Sequence, residues 1–452
     1  MFILNLTKSF KYLFINSTLN NSYIIRYTTQ VNFEKPFFNR KQELINFKNI
    51  FSTHPKLNIV LGPPGTGKIA LIREVISKNN FYPLEIDLFG YDIHNEIYNS
   101  ISEPFNTFFI KYMDQFKKLL TQEEINFINM KFKLSNERKK ISNDDVIELF
   151  DDIGNTLPKW TFWNNYNLSP PILIISNADI LIQFGNFENN HNFLLSILKN
   201  IKKERFHVVF ISSGSLFFNQ IINILNTSYE TSYITPYIIG DLSKEEAKDY
   251  FETHALPKYN CKELKGKFDH VYKITGTRIM IINTYIEEYI NSEGMLKDYE
   301  FSLFRSEYCR LHYRFYTPPY KSDSPLWEKS HLIKTMEALV KAKDQGFILE
   351  DNLIETIGFE EVNSLLNYNL LHRRPTPQFS YDIINPPNKV ILTAMSKPSL
   401  CAMESNRKLA KMYKHQRKRN YQIEKLHIND NEFRTCFVGF YQRNTRNDNE
   451  IN

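Results

Sequence analysis

A chain of 452 residues has room for about three domains, and a hydrophobic share of 42% is enough to build their cores. Lys and Arg number 56 against 50 Asp and Glu, a formal charge of +6 that is too mild for this length to single out a nucleic-acid binder. The four cysteines, at 261, 309, 401 and 436, form no C-x-x-C pair, which argues against a zinc site or a disulfide framework and fits a reducing compartment. No stretch approaches the 18 or so consecutive apolar residues of a membrane-spanning helix.

Residues 1–33 contain no Asp or Glu, carry Lys8, Lys11 and Arg26, and place Phe10, Leu13, Phe14 and Ile15 around the basic pair. That composition is that of a mitochondrial transit peptide, with Arg26-Tyr27-Thr28-Thr29 as a cleavage region. The expectation is a presequence over 1–34 and a matrix location, with the cytoplasm as the alternative.

Asn58-Ile59-Val60-Leu61 is a short apolar run between Pro55 and a Gly/Pro cluster and predicts a buried strand. Gly62-Pro63-Pro64-Gly65-Thr66-Gly67-Lys68 follows, a G-x-x-x-x-G-K phosphate loop. After it Ile69, Leu71, Ile72, Val75 and Ile76 recur at helical spacing up to the polar stop at 77–80. The glycines let backbone N–H groups converge on phosphate oxygens, the helix start adds its positive dipole end, and Lys68 brings an ammonium to the β- and γ-phosphates.

Two positions depart from the motif. Ile69 stands where Ser or Thr gives Mg²⁺ a hydroxyl. The later apolar run Ile172-Leu173-Ile174-Ile175 ends in Ser176-Asn177-Ala178-Asp179 where a metal-binding and a water-activating carboxylate are expected. Ser176 is a weak neutral ligand, Asn177 is no base, and Asp179 lies three residues late, so that it serves a metal only in a changed register.

Between a second strand near 83–88 and the third after Pro170-Pro171 lies an elaborated helical insertion over about 90–168, with helical pieces at Phe116–Leu120 and Asp144–Ile153. Strand 208–213 ends in Ser212-Ser213, candidate sensors of a γ-phosphate. Residues 241–303 are helical in pattern, and Thr317-Pro318-Pro319-Tyr320 marks a linker. Helices then run over 324–374, followed by strand-like segments at Phe379–Ile383 and Lys389–Thr393, a winged-helix pattern. The basic run 407–419 has no acidic residue and suits phosphates or an anionic surface, and the rest of 403–452 reads as a polar, partly disordered tail.

From about Phe37 to about Ala402 the sequence resembles the AAA-like ATPases of the archaeal-ATPase and STAND type. The resemblance rests on Phe37-Phe38-Asn39-Arg40-Lys41-Gln42-Glu43-Leu44, similar to the entry segment Phe-x-x-Arg-x-x-Glu-Leu, and on the phosphate loop. It continues through the strand ending in Ser212-Ser213, the lid entry at 239–247, and Thr275-Gly276-Thr277-Arg278, close to the lid's Gly-Gly-x-Pro element, with Ile279 replacing its proline. The resemblance implies an α/β fold: a P-loop NTPase core with a parallel five-stranded sheet over 35–240, a helical lid over 241–316 and a winged helix over 317–402. It also implies ATP or ADP as ligand, with Arg278 as a candidate lid contact, although a solvated side chain is the plainer reading of that arginine. In many STAND proteins the winged helix packs on the ATPase and sets its state.

The expected function is a nucleotide-gated scaffold or regulator with weak or absent hydrolysis, Mg²⁺ use being undecided, and with a protein partner or self-association. Two alternatives stay open: an active Mg²⁺-dependent ATPase using Ser176 or Asp179, and a nucleic-acid-binding module using the winged helix and residues 407–419.

Overall fold

The computed structural model describes residues 37–88, 93–118, 121–123, 125–126, 141–166, 168–183, 187–225, 233–316, 325–376 and 380–417. The presequence expected at 1–34 lies outside them, as does most of the tail. No helix among the described residues is long and apolar enough to cross a membrane.

The core is a five-stranded, all-parallel sheet: β1 (Leu57–Leu61), β2 (Tyr82–Asp87), β3 (Pro171–Ser176), β4 (His207–Ser212) and β5 (Ile234–Ile238), in spatial order β2-β3-β4-β1-β5. Strands β1, β3 and β4 are buried along their whole length, which is why they read as continuous apolar runs. Helix α1 (Lys41–Phe51) leads into β1, and α2 (Lys68–Lys78) follows it, burying Leu71, Ile72, Val75 and Ile76 against the sheet. Strand β1 lies between β4 and β5, and the connection from β4 to β5 passes over it. Residues 62–67 lie at the carboxyl end of β1, the end of a parallel sheet where ligands bind.

The insertion supplies α3 (Ile93–Phe116), α4 (Asn143–Thr156) and α5 (Trp160–Asn165). The helical piece expected at 116–120 is a correction: Phe116 is the last residue of α3, Lys117 and Lys118 form a turn, and 119–120 lie outside the described residues. Tyr82 of the edge strand packs edge-on to Phe108 at 4.9 Å, and Phe108 meets Trp163 at 5.6 Å, so the insertion covers the β2 edge. Helix α6 (Phe187–Lys202) precedes β4, and α7 (Phe217–Leu225) follows it.

The lid begins with α8 (Lys244–Tyr250), started by a capping box of Ser243 and Glu246, and runs through a π-turn into α9 (Leu256–Tyr259). Helices α10 (Phe268–Thr275), α11 (Ile279–Asn291) and α12 (Ser302–Tyr316) complete it around a second apolar core.

The C-terminal unit comprises α13 (Lys329–Lys341), α14 (Glu350–Ile357) and α15 (Phe359–Asn367). An antiparallel sheet of β6 (Ile348–Leu349), β8 (Ile391–Thr393) and β7 (His372–Arg374) follows, then α16 (Lys397–Arg417). Two expectations are corrected here. Residues 380–383 form a turn rather than a strand, closed by Ile383 N–H to Ser380 O at 3.0 Å, and β8 pairs instead with His372–Arg374, which the apolar pattern had assigned to a helix end. Helix α16 runs across position 403, where the basic tail was expected to start, and buries Ala402, Met403 and Asn406.

Candidate functional site

The loop 62–67 is held in shape by backbone chemistry. A Cβ on Gly62 would stand 2.3 Å from Ile239 O, and Gly67, with φ 87°, precedes the first residue of α2 in a left-handed conformation that a side chain resists. Thr66 Oγ1 donates to Pro63 O at 3.1 Å across the loop. The helix that starts at Lys68 aims its N-terminus at the same place. This is a P-loop NTPase fold.

Lys68 is 7% exposed, and its ammonium donates to Gly62 O at 2.7 Å, Pro63 O at 2.9 Å and Ser213 Oγ at 3.0 Å. Burial, and next the charge of Arg278, pull its pKa down to about 7, against the opposing pull of Asp179 and Asp241. Two arginines grip the loop from either side. Arg40, itself left-handed at φ 57°, donates to Thr66 O at 2.9 Å and Gly240 O at 2.8 Å while paired with Glu43 at 2.8 Å. Arg278 donates to Pro64 O at 3.0 Å and binds both carboxylate oxygens of Asp241, at 2.7 and 3.1 Å. It is 6% exposed, so the solvated reading of this side chain is overturned.

The adjacent serines at the end of β4 diverge. Ser213 accepts from Lys68 on the β1 side, whereas Ser212 Oγ donates to Asp179 Oδ1 at 3.0 Å on the β3 side and accepts from Gly214 N–H at 2.9 Å. Asn177 turns left-handed at φ 53°, and the 3-10 turn Ala178–Gln183 sets Asp179 beside Ser212 at the end of β4. Asn177 itself donates to Asp87 Oδ1 at 2.7 Å, and Ser176 Oγ is buried without a partner. Ile69 packs half-buried against the main core.

The C-terminal unit reaches this crevice. Arg278 Nη2 donates to Met395 O at 2.9 Å, and Ser215 Oγ donates to Leu371 O at 3.1 Å. Arg373 binds Asn219 Oδ1 at 2.8 Å, and the bidentate pair Arg374–Asp382, at 2.7 Å for both bonds, presses on Gly240. His372 is fully enclosed, and its Nδ1 has no partner. Its pKa is pushed well below the usual histidine value by burial, then by the charges of Arg374, Lys68 and Arg278. His372 and Met395 were not anticipated; the only sequence signal was their place beside short apolar runs.

Mg²⁺, the usual companion of nucleotide in such loops, takes oxygen ligands in near-octahedral geometry. Ile69 has no oxygen to give and Ser176 Oγ is sealed, so of the four positions singled out only Asp179 brings a carboxylate to the crevice. No three His, Cys, Asp or Glu side chains gather as a metal site among the described residues. The residues present do not fit the ion.

No protein-family model matches the sequence, and no curated protein does. Among solved structures the chain is similar to a Walker-type ATPase, paby2304 of Pyrococcus abyssi, at 12% identity and TM-score 0.49, over 81% of this chain and 96% of that one. It is similar also to the ORC2 protein of Aeropyrum pernix, at 11% identity and TM-score 0.41 over 84% and 97% of the two chains. Cdc6p of Pyrobaculum aerophilum gives 13% identity and TM-score 0.34 over 84% and 97%. The fold assignment rests on the sheet order and the loop geometry.

Proposed function

We propose that this chain binds an adenine nucleotide on loop 62–68 and works as a nucleotide-gated scaffold with weak or absent hydrolysis, the bound nucleotide setting how the C-terminal unit sits on the core. The observation that carries this reading is that Lys68 from the core and Arg278 from the lid both donate to loop carbonyls, and that Arg278 also donates to Met395 O in the C-terminal unit. A phosphate group entering the loop competes for the donors of Lys68 and Arg278, which now bind loop and Met395 carbonyls, and so acts differently on closed and open arrangements. Hydrolysis is weak because Ile69 and Asn177 supply neither a metal ligand nor a base.

A second reading, an active ATPase, has Asp179 beside Ser212 in its favour, but that one carboxylate does not make up for Ile69 and Asn177. A nucleic-acid role through the winged helix is disfavoured by the acidic first turn of α15, Glu360 and Glu361, and rests on residues 407–419 alone. We further propose a protein partner or self-association, and a mitochondrial location carried by the acid-free, basic segment 1–33.

Hydrogen exchange over residues 371–395, measured on the full chain without nucleotide, with ADP and with ATP, tests the gating. Exchange that differs among the three states, with the differences lost in Lys68→Ala, supports the reading; identical exchange at saturating nucleotide overturns it.

A further inference from the structure

Resting on the nucleotide reading above, we infer that the loop takes its nucleotide as the metal-free phosphate anion, protein donors standing where other phosphate loops use a divalent cation.

Mg²⁺ dehydrates reluctantly and binds where a protein hydroxyl or carboxylate joins the phosphate oxygens at about 2.0–2.1 Å. The residue after Lys68 is the one whose hydroxyl meets Mg²⁺ in this motif, and here it is Ile69, an aliphatic chain packed on the core. At the tip of β3, Ser176 Oγ is buried away from the crevice, and Asn177 spends its amide N–H on Asp87. Two carboxylates act on Lys68 and both are engaged: Asp179 accepts from Ser212 at 3.0 Å and Asp241 from Arg278 at 2.7 Å.

Donors are plentiful by contrast. The Lys68 ammonium and the Arg278 guanidinium both touch loop carbonyls, at 2.7–3.0 Å, and can exchange these for phosphate oxygens. A phosphate supplies acceptors to both groups; a Mg²⁺ ion placed among them meets like charge from Lys68 and Arg278, while Asp179 and Asp241 are already hydrogen-bonded.

The test is titration calorimetry of the full chain with ATP and with ADP, each in excess EDTA and in excess Mg²⁺. Affinity in EDTA equal to or tighter than in Mg²⁺ is expected. Ile69→Thr, which restores a hydroxyl, is expected to gain Mg²⁺ sensitivity, with Mg²⁺ tightening ATP by about tenfold. Wild-type binding that Mg²⁺ tightens by about tenfold or more overturns this inference alone, and loss of that gain in Asp179→Asn would then assign the metal to Asp179. Absence of binding in both media overturns the nucleotide reading and this inference together.

Discussion

Arg278 donates through one terminal nitrogen to Pro64 O in the phosphate loop at 3.0 Å and through the other to Met395 O in the C-terminal unit at 2.9 Å. One guanidinium of the lid thus joins the place where a phosphate would bind to the part of the chain that would respond. Asp241 fixes its orientation, at 2.7 Å to Nε.

Replacing Arg278 by Ala leaves the part-buried Asp241 without its arginine and frees two carbonyls. A cost of about 1–3 kcal/mol to unfolding is expected, together with faster hydrogen exchange around Met395. Urea denaturation followed by exchange mapping checks both; a variant as stable as wild type with unchanged exchange would remove Arg278 from its junction role.

The Lys68 ammonium, with its pKa lowered to about 7 by burial and then by Arg278, is partly neutral at neutral pH. A bound phosphate favours the charged form and raises that pKa. Nucleotide affinity should therefore be full below pH 7 and fall as pH rises above it, by up to about tenfold per unit, with up to one proton taken up per nucleotide. Calorimetry of ADP binding in two buffers of different ionisation enthalpy measures the uptake directly.

His207 lies at the opposite end of the sheet. Its Nδ1 accepts from Lys56 N–H at 3.2 Å and its Nε2 faces Thr53 O at 3.2 Å, so the neutral ring is satisfied at both nitrogens. Burial pulls its pKa down from 6.5 to about 4. The folded value being depressed, the unfolded chain binds the extra proton, and the stabilisation present above about pH 6.5 is lost as pH falls toward 4. The loss is about 3 kcal/mol. Melting temperature against pH should drop across that window in wild type and be flatter in His207→Phe, although His372, shifted the same way, keeps part of the slope.

Gly240 sits where lid, core and C-terminal unit meet. An added Cβ would lie 2.1 Å from Asp382 Oδ1 and 3.1 Å from Arg374 Nη1. Gly240→Ala is expected to displace the Arg374–Asp382 pair at a cost of about 1–3 kcal/mol and to loosen the C-terminal unit while the five-stranded core keeps its stability. Limited proteolysis between 376 and 395 should quicken; an unchanged rate would show that the pair does not hold the unit in place.

Strand β1, the loop and α2 were legible because each obeys a local rule: a short apolar run, glycines at fixed offsets, and apolar residues recurring at helical spacing. Strand β5 was not located, since Ile234–Ile238 is five residues long, ends the sheet and carries Pro236, which weakens the pattern. The site's remaining parts are long-range. Arg278 and Met395 are 117 positions apart, and Arg278 and Pro64 are 214, so no local pattern announces that the arginine is buried. Asp179 lies three residues past the end of β3, and a left-handed Asn177 with a 3-10 turn sets it beside Ser212, a placement no local pattern announces. His372 looked like a helix end because its two leucine neighbours extend the apolar spacing of α15, whereas pairing with Thr393 makes it a strand.

Thermal denaturation of the full chain and of Lys68→Ala, titrated with ATP and ADP, tests the central claim of nucleotide binding at this loop most directly. At about a hundred times its Kd, a ligand that binds only the folded state stabilises it by about 2.7 kcal/mol. The account predicts a rise in melting temperature for wild type that is lost in the variant; no rise in wild type, or an equal rise in both, would contradict it.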